Sequence, residues 1–327
     1  KKMTSTLLPK DIHGCPYLFL APMEGVGDAS FRKAMASVGG MDEAVTEFIS
    51  VPCNAHVQSL SKVYNAQELN PIPLAAQIMG SDPELMAAMA IELVKRGAPR
   101  IDINCGCPSN TVTGRGAGSS LLKDPRFIYE VAKTVVEAVP IPVTIKMRSG
   151  YEDTSLFQEN VLAAEASGVR FITLHPRTKI EGYTPPARWD LIAQAKELVK
   201  IPIIGNGDIV KVQDALHVFS YTKCDALMIG RGAIINPFIF LQIKAHFAQK
   251  THEISWEMIE KYLRYYFAAL PEKMVEKTRV NKLKQLIGFL CKSHPSWTEQ
   301  RQTLLSTQSR EGSDYLNTII SVLQHNF

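Results

Sequence analysis

A chain of 327 residues, 46% hydrophobic, is long enough for one large α/β domain with an appended module and has ample apolar content for a core. Its formal charge of +4 is too slight to define a partner, so the placement of charge matters more than its sum. No apolar run approaches the ~18 residues of a membrane span. The start, Lys1-Lys2-Met3-Thr4, lacks the apolar core of a signal peptide. Six scattered cysteines suit a reducing compartment, so a cytoplasmic protein is expected. Cys105 and Cys107 stand one residue apart with no second pair or nearby His, so no metal site is expected.

Short apolar or β-branched runs alternate with amphipathic stretches through about residue 240. The expected strands are 17–21, 44–48, 74–79, 100–104, 143–147, 171–175, 201–205 and 226–229. Between them, 83–96 places Leu85, Met89 and Leu93 on one helical face, and 125–139 does the same with Ile128, Val131, Ala132 and Val135. Asp82-Pro83 and Asp124-Pro125 put a capping carboxylate before a first-turn proline. Eight such units predict an α/β fold, a parallel (β/α)8 TIM barrel. An open doubly wound sheet is the rival, but no Gly-x-Gly-x-x-Gly follows the first strand. After residue 250 the pattern turns helical, over 256–270, 275–291 and 298–305, with Pro271 and Pro295 as breaks. Val280, Leu283, Ile287 and Leu290 form one buried face. The expected organisation is a barrel over 1–245 and a small all-helical domain over 250–327.

Polar residues collect where the strands end, which in such a barrel is the open, reactive face. They include Pro22-Met23-Glu24, Gln77, Asn104 with Cys107, Lys146 with Arg148, His175 with Arg177, Asn206-Gly207-Asp208 and Gly230-Arg231-Gly232. The last two suit a phosphate, because Gly permits close backbone approach and Arg231 adds a charged fork. Lys146 reads either as a solvated strand stopper or as a fixed cation over a bound ring. His175 reads as a structural histidine or a ring contact. Cys107, before Pro108 and a Gly-rich loop, is either a small buried hydrophobe or a proton donor, since an unperturbed thiol near ~8.5 is protonated at neutral pH. Cys105 has the weaker claim.

Asp102-x-Asn104-x-Gly106-Cys107-Pro108-Ser109, with Ala21-Pro22-Met23-Glu24-Gly25, Thr46-Glu47-Phe48, Gln77, Lys146-x-Arg148, His175-x-Arg177-Thr178, Asn206-Gly207-Asp208 and Gly230-Arg231-Gly232, resembles in order and spacing the tRNA-dihydrouridine synthases. That resemblance implies FMN held by Pro22, Met23, Gln77, Asn104, Lys146, His175, Asn206, Gly207, Asp208, Gly230 and Arg231. It implies NADPH or NADH as transient reductant, tRNA as substrate and Cys107 as proton donor to a uracil reduced by hydride at C6. Asn104-Cys105-Gly106 and Ser109-x-Thr111-Val112-x-Gly114 look most like the bacterial C-type branch, which modifies position sixteen of the D loop. Ser50 departs from the basic residue expected after Thr46-Glu47-Phe48.

Two other readings compete. A dihydroorotate dehydrogenase-type barrel runs related chemistry on a free pyrimidine, but needs no helical extension. A catalytically silent RNA-binding homologue would not need the thiol and the full flavin set. Lys273, Lys277, Arg279, Lys282, Lys284 and Lys292 stand against Glu276 alone, so tRNA is expected to dock on the helical domain. The contacts expected are Arg279, Lys282 and Lys284, with Arg148 and Arg177 at the barrel rim. A monomer is expected.

Overall fold

The structure, a computed structural model, describes residues 8–327; the Lys1-Lys2-Met3-Thr4 start lies outside them. Nine parallel strands are present among the described residues: β1 (Tyr17–Leu20), β2 (Glu43–Val45), β3 (Ile49–Ser50), β4 (Leu74–Met79), β5 (Ile101–Cys105), β6 (Val143–Gly150), β7 (Ile172–Thr178), β8 (Ile203–Gly205) and β9 (Ala226–Ile229). β2 pairs with both β1 and β4, and β1 pairs with β9, so eight strands close into the expected barrel. β3 is an addition. The expected run 44–48 stops at Val45, and Ile49–Ser50 pairs again beside Ile78 and Met79 at the carboxyl end of β4. β6 and β7 run on to Gly150 and Thr178, past their expected ends at 147 and 175.

The capping carboxylates act as the sequence suggests. Asp82 Oδ1 accepts from Leu85 N at 3.0 Å and Asp124 Oδ1 from Arg126 N at 2.9 Å, each ahead of a proline that has no N–H to satisfy.

Period two sorts each strand between the surrounding helices and the barrel interior. Ile101, Ile103 and Cys105 of β5 join the large outer core, whereas Arg100, Asp102 and Asn104 alternate with them. The interior is divided. Phe19, Val45, Ala75, Phe171, Ile204, Ala226 and Met228 make an apolar plug. Beside it runs a polar column. Arg100 donates to Glu43 Oε1 at 2.6 Å and to Thr144 Oγ1 at 2.5 Å, and its guanidinium lies 4.8 Å from the Phe171 ring centroid. Thr144 donates to Asp102 Oδ1 at 2.6 Å, Gln77 Nε2 to Asp102 Oδ2 at 2.8 Å, and Asn104 Nδ2 to Gln77 Oε1 at 3.0 Å. Sheet register explains the contact, because Gln77, Asp102 and Thr144 are lateral neighbours on β4, β5 and β6.

Four helices follow the barrel and its outer helices: Trp256–Ala268, Glu276–Leu290, Pro295–Ser306 and Gly312–His325. The last of these was not among the expected elements. Leu263, Leu283, Ile287, Tyr315 and Ile319 belong to the same unbroken apolar cluster as the barrel's outer layer. Lys282 donates to Asp28 Oδ2 at 2.7 Å and to the Gly25 carbonyl at 3.0 Å, joining the second of these helices to the loop after β1. Arg279 donates to the Met274 and Pro271 carbonyls at 3.1 and 2.8 Å, tying down the turn before its own helix. These two expected tRNA contacts are therefore each engaged with partners within the chain. Lys284 is half-buried with Nζ 5.6 Å from the Tyr315 ring centroid. Lys273 and Lys277 are the exposed cations at the start of this segment. Among the described residues no helix is long and apolar enough to cross a membrane.

Replacing Arg100 by Met would leave Glu43 and Asp102 facing a low-dielectric interior without their cation. Urea unfolding at neutral pH should show a loss of about 3–5 kcal/mol, the cost of removing one partner from a buried ion pair. A loss below ~1 kcal/mol would mean that water already solvates these carboxylates.

Candidate active site

The polar column ends at a cavity of about 600 Å³ over the carboxyl ends of the strands, lined by Met23, Gln77, Asn104, Cys107, Lys146 and His175 among others. An adjoining recess of about 100 Å³ is lined by Asn206, Gly207, Asp208, Gly230, Arg231 and Gly232. Pro22, Met23, Lys146, His175 and Arg231 border both. All the cofactor-contact residues expected from the sequence thus lie around one connected site.

Asn104 fixes the loop that carries the thiol. Its Oδ1 accepts from Gly106 N at 3.0 Å and Cys107 N at 2.9 Å, while Nδ2 is anchored on Gln77. Ser119 closes the loop from the other side, with Oγ donating to the Cys107 carbonyl at 2.9 Å. The Cys107 side chain borders the cavity beside Met79 and Ala117. Burial pushes its thiol up, against the opposing pull of the Ser109 N–H, Arg148 and Lys146, so the proton stays on sulfur at neutral pH. Cys105 points the other way, fully buried in the outer core. Of these two thiols, Cys107 is the one that borders the cavity.

The positive charges divide into fixed and free. Arg148 is buried; Nε donates to the Gly106 carbonyl at 2.8 Å, and Nη1 to the Thr178 and Gly182 carbonyls at 3.1 and 2.8 Å. Arg177, 1% exposed, donates to Thr184 O at 2.8 Å and to Asp208 Oδ2 at 2.6 Å. Neither sits at the rim as a tRNA contact would require. The unexpected length of β6 and β7 carries both inward, where their guanidinium groups tie the loops together.

Arg177 Nη1 also lies 3.2 Å from His175 Nε2. A guanidinium only donates, so Nε2 is the acceptor and the ring proton is on Nδ1. Burial, then the charges of Arg148, Lys146, Arg177 and Arg231, hold His175 well below its ordinary range; it is neutral at pH 7. Lys146 is half-buried, and no protein acceptor is found for its ammonium among the described residues. Burial, then Arg148, lowers it to about 8, so it is mostly charged at neutral pH and loses that charge above pH 8. This is the cation left for a ligand.

Asp208 lines the recess, and its side chain is already engaged within the chain. Its Oδ2 accepts from Arg177 and from Ala187 N at 2.9 Å, and Oδ1 lies 3.6 Å from Arg231 Nη2. Burial opposes its charge, but the Arg177 and Ala187 hydrogen bonds prevail and keep it ionised. The carboxylate thus positions Arg177 and approaches Arg231, leaving the backbone of the turn facing the recess. The recess itself is shaped by missing side chains. Gly207 has φ 104°, and a Cβ there would stand 2.9 Å from His175 Cδ2. A Cβ on Gly232 would overlap the Ile209 carbonyl, so the turn after β9 seats directly on the loop after β8.

Tyr183 was missed by the sequence reading. It is 54% exposed, with Arg231 4.4 Å and Arg148 5.2 Å from its ring centroid, and it borders both cavities. An exposed aromatic beside Gly182 in a strand-end loop was the available signal.

A closed parallel barrel with a thiol, a free ammonium and an oriented imidazole around one strand-end cavity has the construction of a barrel enzyme. Residues 19–324 match the dihydrouridine synthase family model, and the chain belongs to that family. A relative from Neisseria meningitidis serogroup A, named tRNA-dihydrouridine(16) synthase, is 34% identical over 319 residues, 94% of this chain and 95% of its own length. One of the same name from Pseudomonas syringae pv. tomato is 38% identical over 296 residues, 87% of this chain and 93% of that protein. The structure of histamine dehydrogenase from Rhizobium sp. 4-9 shares the fold, with a TM-score of 0.52 and 14% identity over 76% of this chain and 49% of that one.

Asn104→Ala should release the Cys107 loop, since two hydrogen bonds of about 0.5–1.5 kcal/mol each hold it. Iodoacetamide labelling followed by peptide mapping should then find Cys107 alkylated at least about tenfold faster, with exposed Cys53 as internal reference. An unchanged Cys107 rate would mean that Ser119 alone fixes the loop.

Proposed function

We propose that this chain reduces a uridine to 5,6-dihydrouridine at position 16 of the tRNA D loop, with FMN as its bound cofactor and NADPH or NADH supplying electrons. The observation that carries this reading is the placement of the Cys107 thiol and the free Lys146 ammonium on one cavity beside a glycine-walled recess. The names of the relatives from Neisseria and Pseudomonas support the nucleotide position.

The residues present fit FMN. The recess lined by Gly207, Gly230 and Gly232, with Arg231 at its edge, suits a phosphate. Pro22, Met23, Gln77, Asn104, Lys146 and His175 border the space for a flat ring, with Asn206 and Gly230 between the two. FMN, when bound, supplies a hydride equivalent to C6 of the uracil. Lys146 offsets negative charge on the ring system from a half-buried position, where it acts more strongly than in water. Neutral His175 offers an Nδ1–H donor without adding a further cation. The uracil must leave its stack to reach this depth. Cys107 donates its proton to C5, completing the addition of two hydrogens across the C5–C6 bond.

Docking of the RNA is assigned to exposed Lys273 and Lys277, in place of the inward-tied Arg279 and Lys282. Phosphate contacts there give affinity and salt sensitivity but little sequence preference.

Cys107→Ala should keep its flavin and oxidise NADPH almost normally, while uridine reduction slows by ~10²–10⁴-fold. Stopped-flow flavin absorbance separates the two half-reactions. Mass spectrometry of D-loop fragments reads the product and its position. Normal uridine reduction in this variant would remove the thiol from the mechanism; a product elsewhere than position 16 would remove the assigned target.

Lys273→Ala with Lys277→Ala should raise KM for tRNA and flatten its dependence on salt, reducing the log–log slope by up to about 1.8 for two phosphates. Flavin content and NADPH oxidation should not move. An unaltered slope would place the RNA on another face.

A further inference from the structure

A second cavity, of about 590 Å³, lies between the barrel loops and the terminal helices and shares only Val210 with the recess described above. Its size falls in the ~300–1,000 Å³ range of small-molecule sites. Three exposed lysines border it from separate elements: Lys211 after β8, Lys250 before the terminal helices, and Lys292 after Glu276–Leu290. No acidic side chain lines it. Three lysines bordering one cavity with no acidic side chain in its lining favour an anion.

The inner wall is aromatic. The Trp297 ring centroid lies 5.5 Å from that of His294 and 5.9 Å from that of Phe327. Trp297 is 3% exposed, with Nε1 donating to the Leu323 carbonyl at 3.0 Å, so it backs the wall that the His294 and Phe327 rings present. His252 Nε2 and His294 Nδ1 are buried and have no hydrogen-bond partner among the described residues, though both residues border the cavity. A buried imidazole nitrogen without a partner calls for a ligand or water. Point-like ammonium groups suit phosphate, and an aromatic wall with hydrogen-bonding edges suits a planar heterocycle.

We propose that this cavity is a nucleotide-binding site separate from the catalytic pocket, with Lys211, Lys250 and Lys292 holding phosphate and His252, His294 and Phe327 receiving the base. A free mononucleotide and a nucleotide of bound RNA present the same chemistry. Binding of the first does not depend on the reaction proposed above; occupancy by the second rests on that reading.

The test is calorimetry of the full chain with AMP. Saturable binding with a Kd of about 1 mM or tighter is expected. Lys250→Ala with Lys292→Ala should weaken it at least about tenfold, with thermal melting and NADPH oxidation like wild type. Excess unmodified tRNA transcript that abolishes the AMP signal assigns the site to an RNA nucleotide. Persistence of the signal assigns it to a free nucleotide. Absence of saturable AMP binding, or equal binding by the double variant, overturns the proposal whatever the fate of the uridine reaction.

Discussion

The site depends on a charge buried at the foot of the barrel. Asp102, 1% exposed, accepts hydrogen bonds from Thr144 and Gln77, with the Arg100 guanidinium 3.6 Å away. That arrangement leaves Gln77 no freedom to flip. Its amide nitrogen faces Asp102, so its oxygen must face Asn104, and Asn104 in turn must aim its own oxygen at the Gly106 and Cys107 N–H groups. The orientation of the thiol loop is thus set several residues away, by a carboxylate that meets no ligand. An apolar barrel interior would be simpler to stabilise, but it could not transmit a direction.

A similar logic governs the upper layer. Three basic side chains, Lys146, Arg148 and Arg177, leave neighbouring strands toward one space, and only Lys146 is left without a protein acceptor. The two arginines reach backbone carbonyls of loops that lack hydrogen-bonded regular structure. Asp208 completes the set by taking Arg177 on one oxygen and approaching Arg231 with the other. One carboxylate therefore fixes the imidazole tautomer through Arg177 while holding a second arginine at the recess. Replacing the buried charges by apolar groups would remove an anchor that these loops share.

The barrel was legible in the sequence because each of its eight main strands is an apolar run bounded by turn residues, and period-two alternation exposes the interior set. Cys107 could be separated from Cys105 because Pro108 and a Gly-rich loop follow it, whereas Cys105 belongs to the strand. The identities of the pocket residues were legible too, because glycine, asparagine and charge at strand ends are poor packing choices. Destinations of long side chains were not. Arg148, Arg177, Arg279 and Lys282 read as free cations because their partners are mostly backbone carbonyls, and a carbonyl leaves no mark in the sequence. β3 escaped notice because two residues carry no period. Gly312–His325 was passed over although Tyr315, Leu316, Ile319, Ile320 and Leu323 recur at helical spacing.

The inward turn of Lys282 changes how the terminal helices relate to catalysis. Asp28 caps the helix Ala29–Val38 through Phe31 N and accepts Lys282 with its other oxygen. The loop that Lys282 reaches at Gly25 is the one that presents Pro22 and Met23 to the pocket, and Gly25 N is itself held by Glu47 Oε1 at 2.5 Å. Ser30 Oγ adds a bond to the Ala269 carbonyl at 3.0 Å. Phe289, on the same helix as Lys282, supplies part of the cavity wall directly. A displacement of that helix therefore cannot leave the β1 loop in place. The same helix that begins among exposed lysines ends against the pocket, so a load on its outer face is delivered to the residues around the reacting ring.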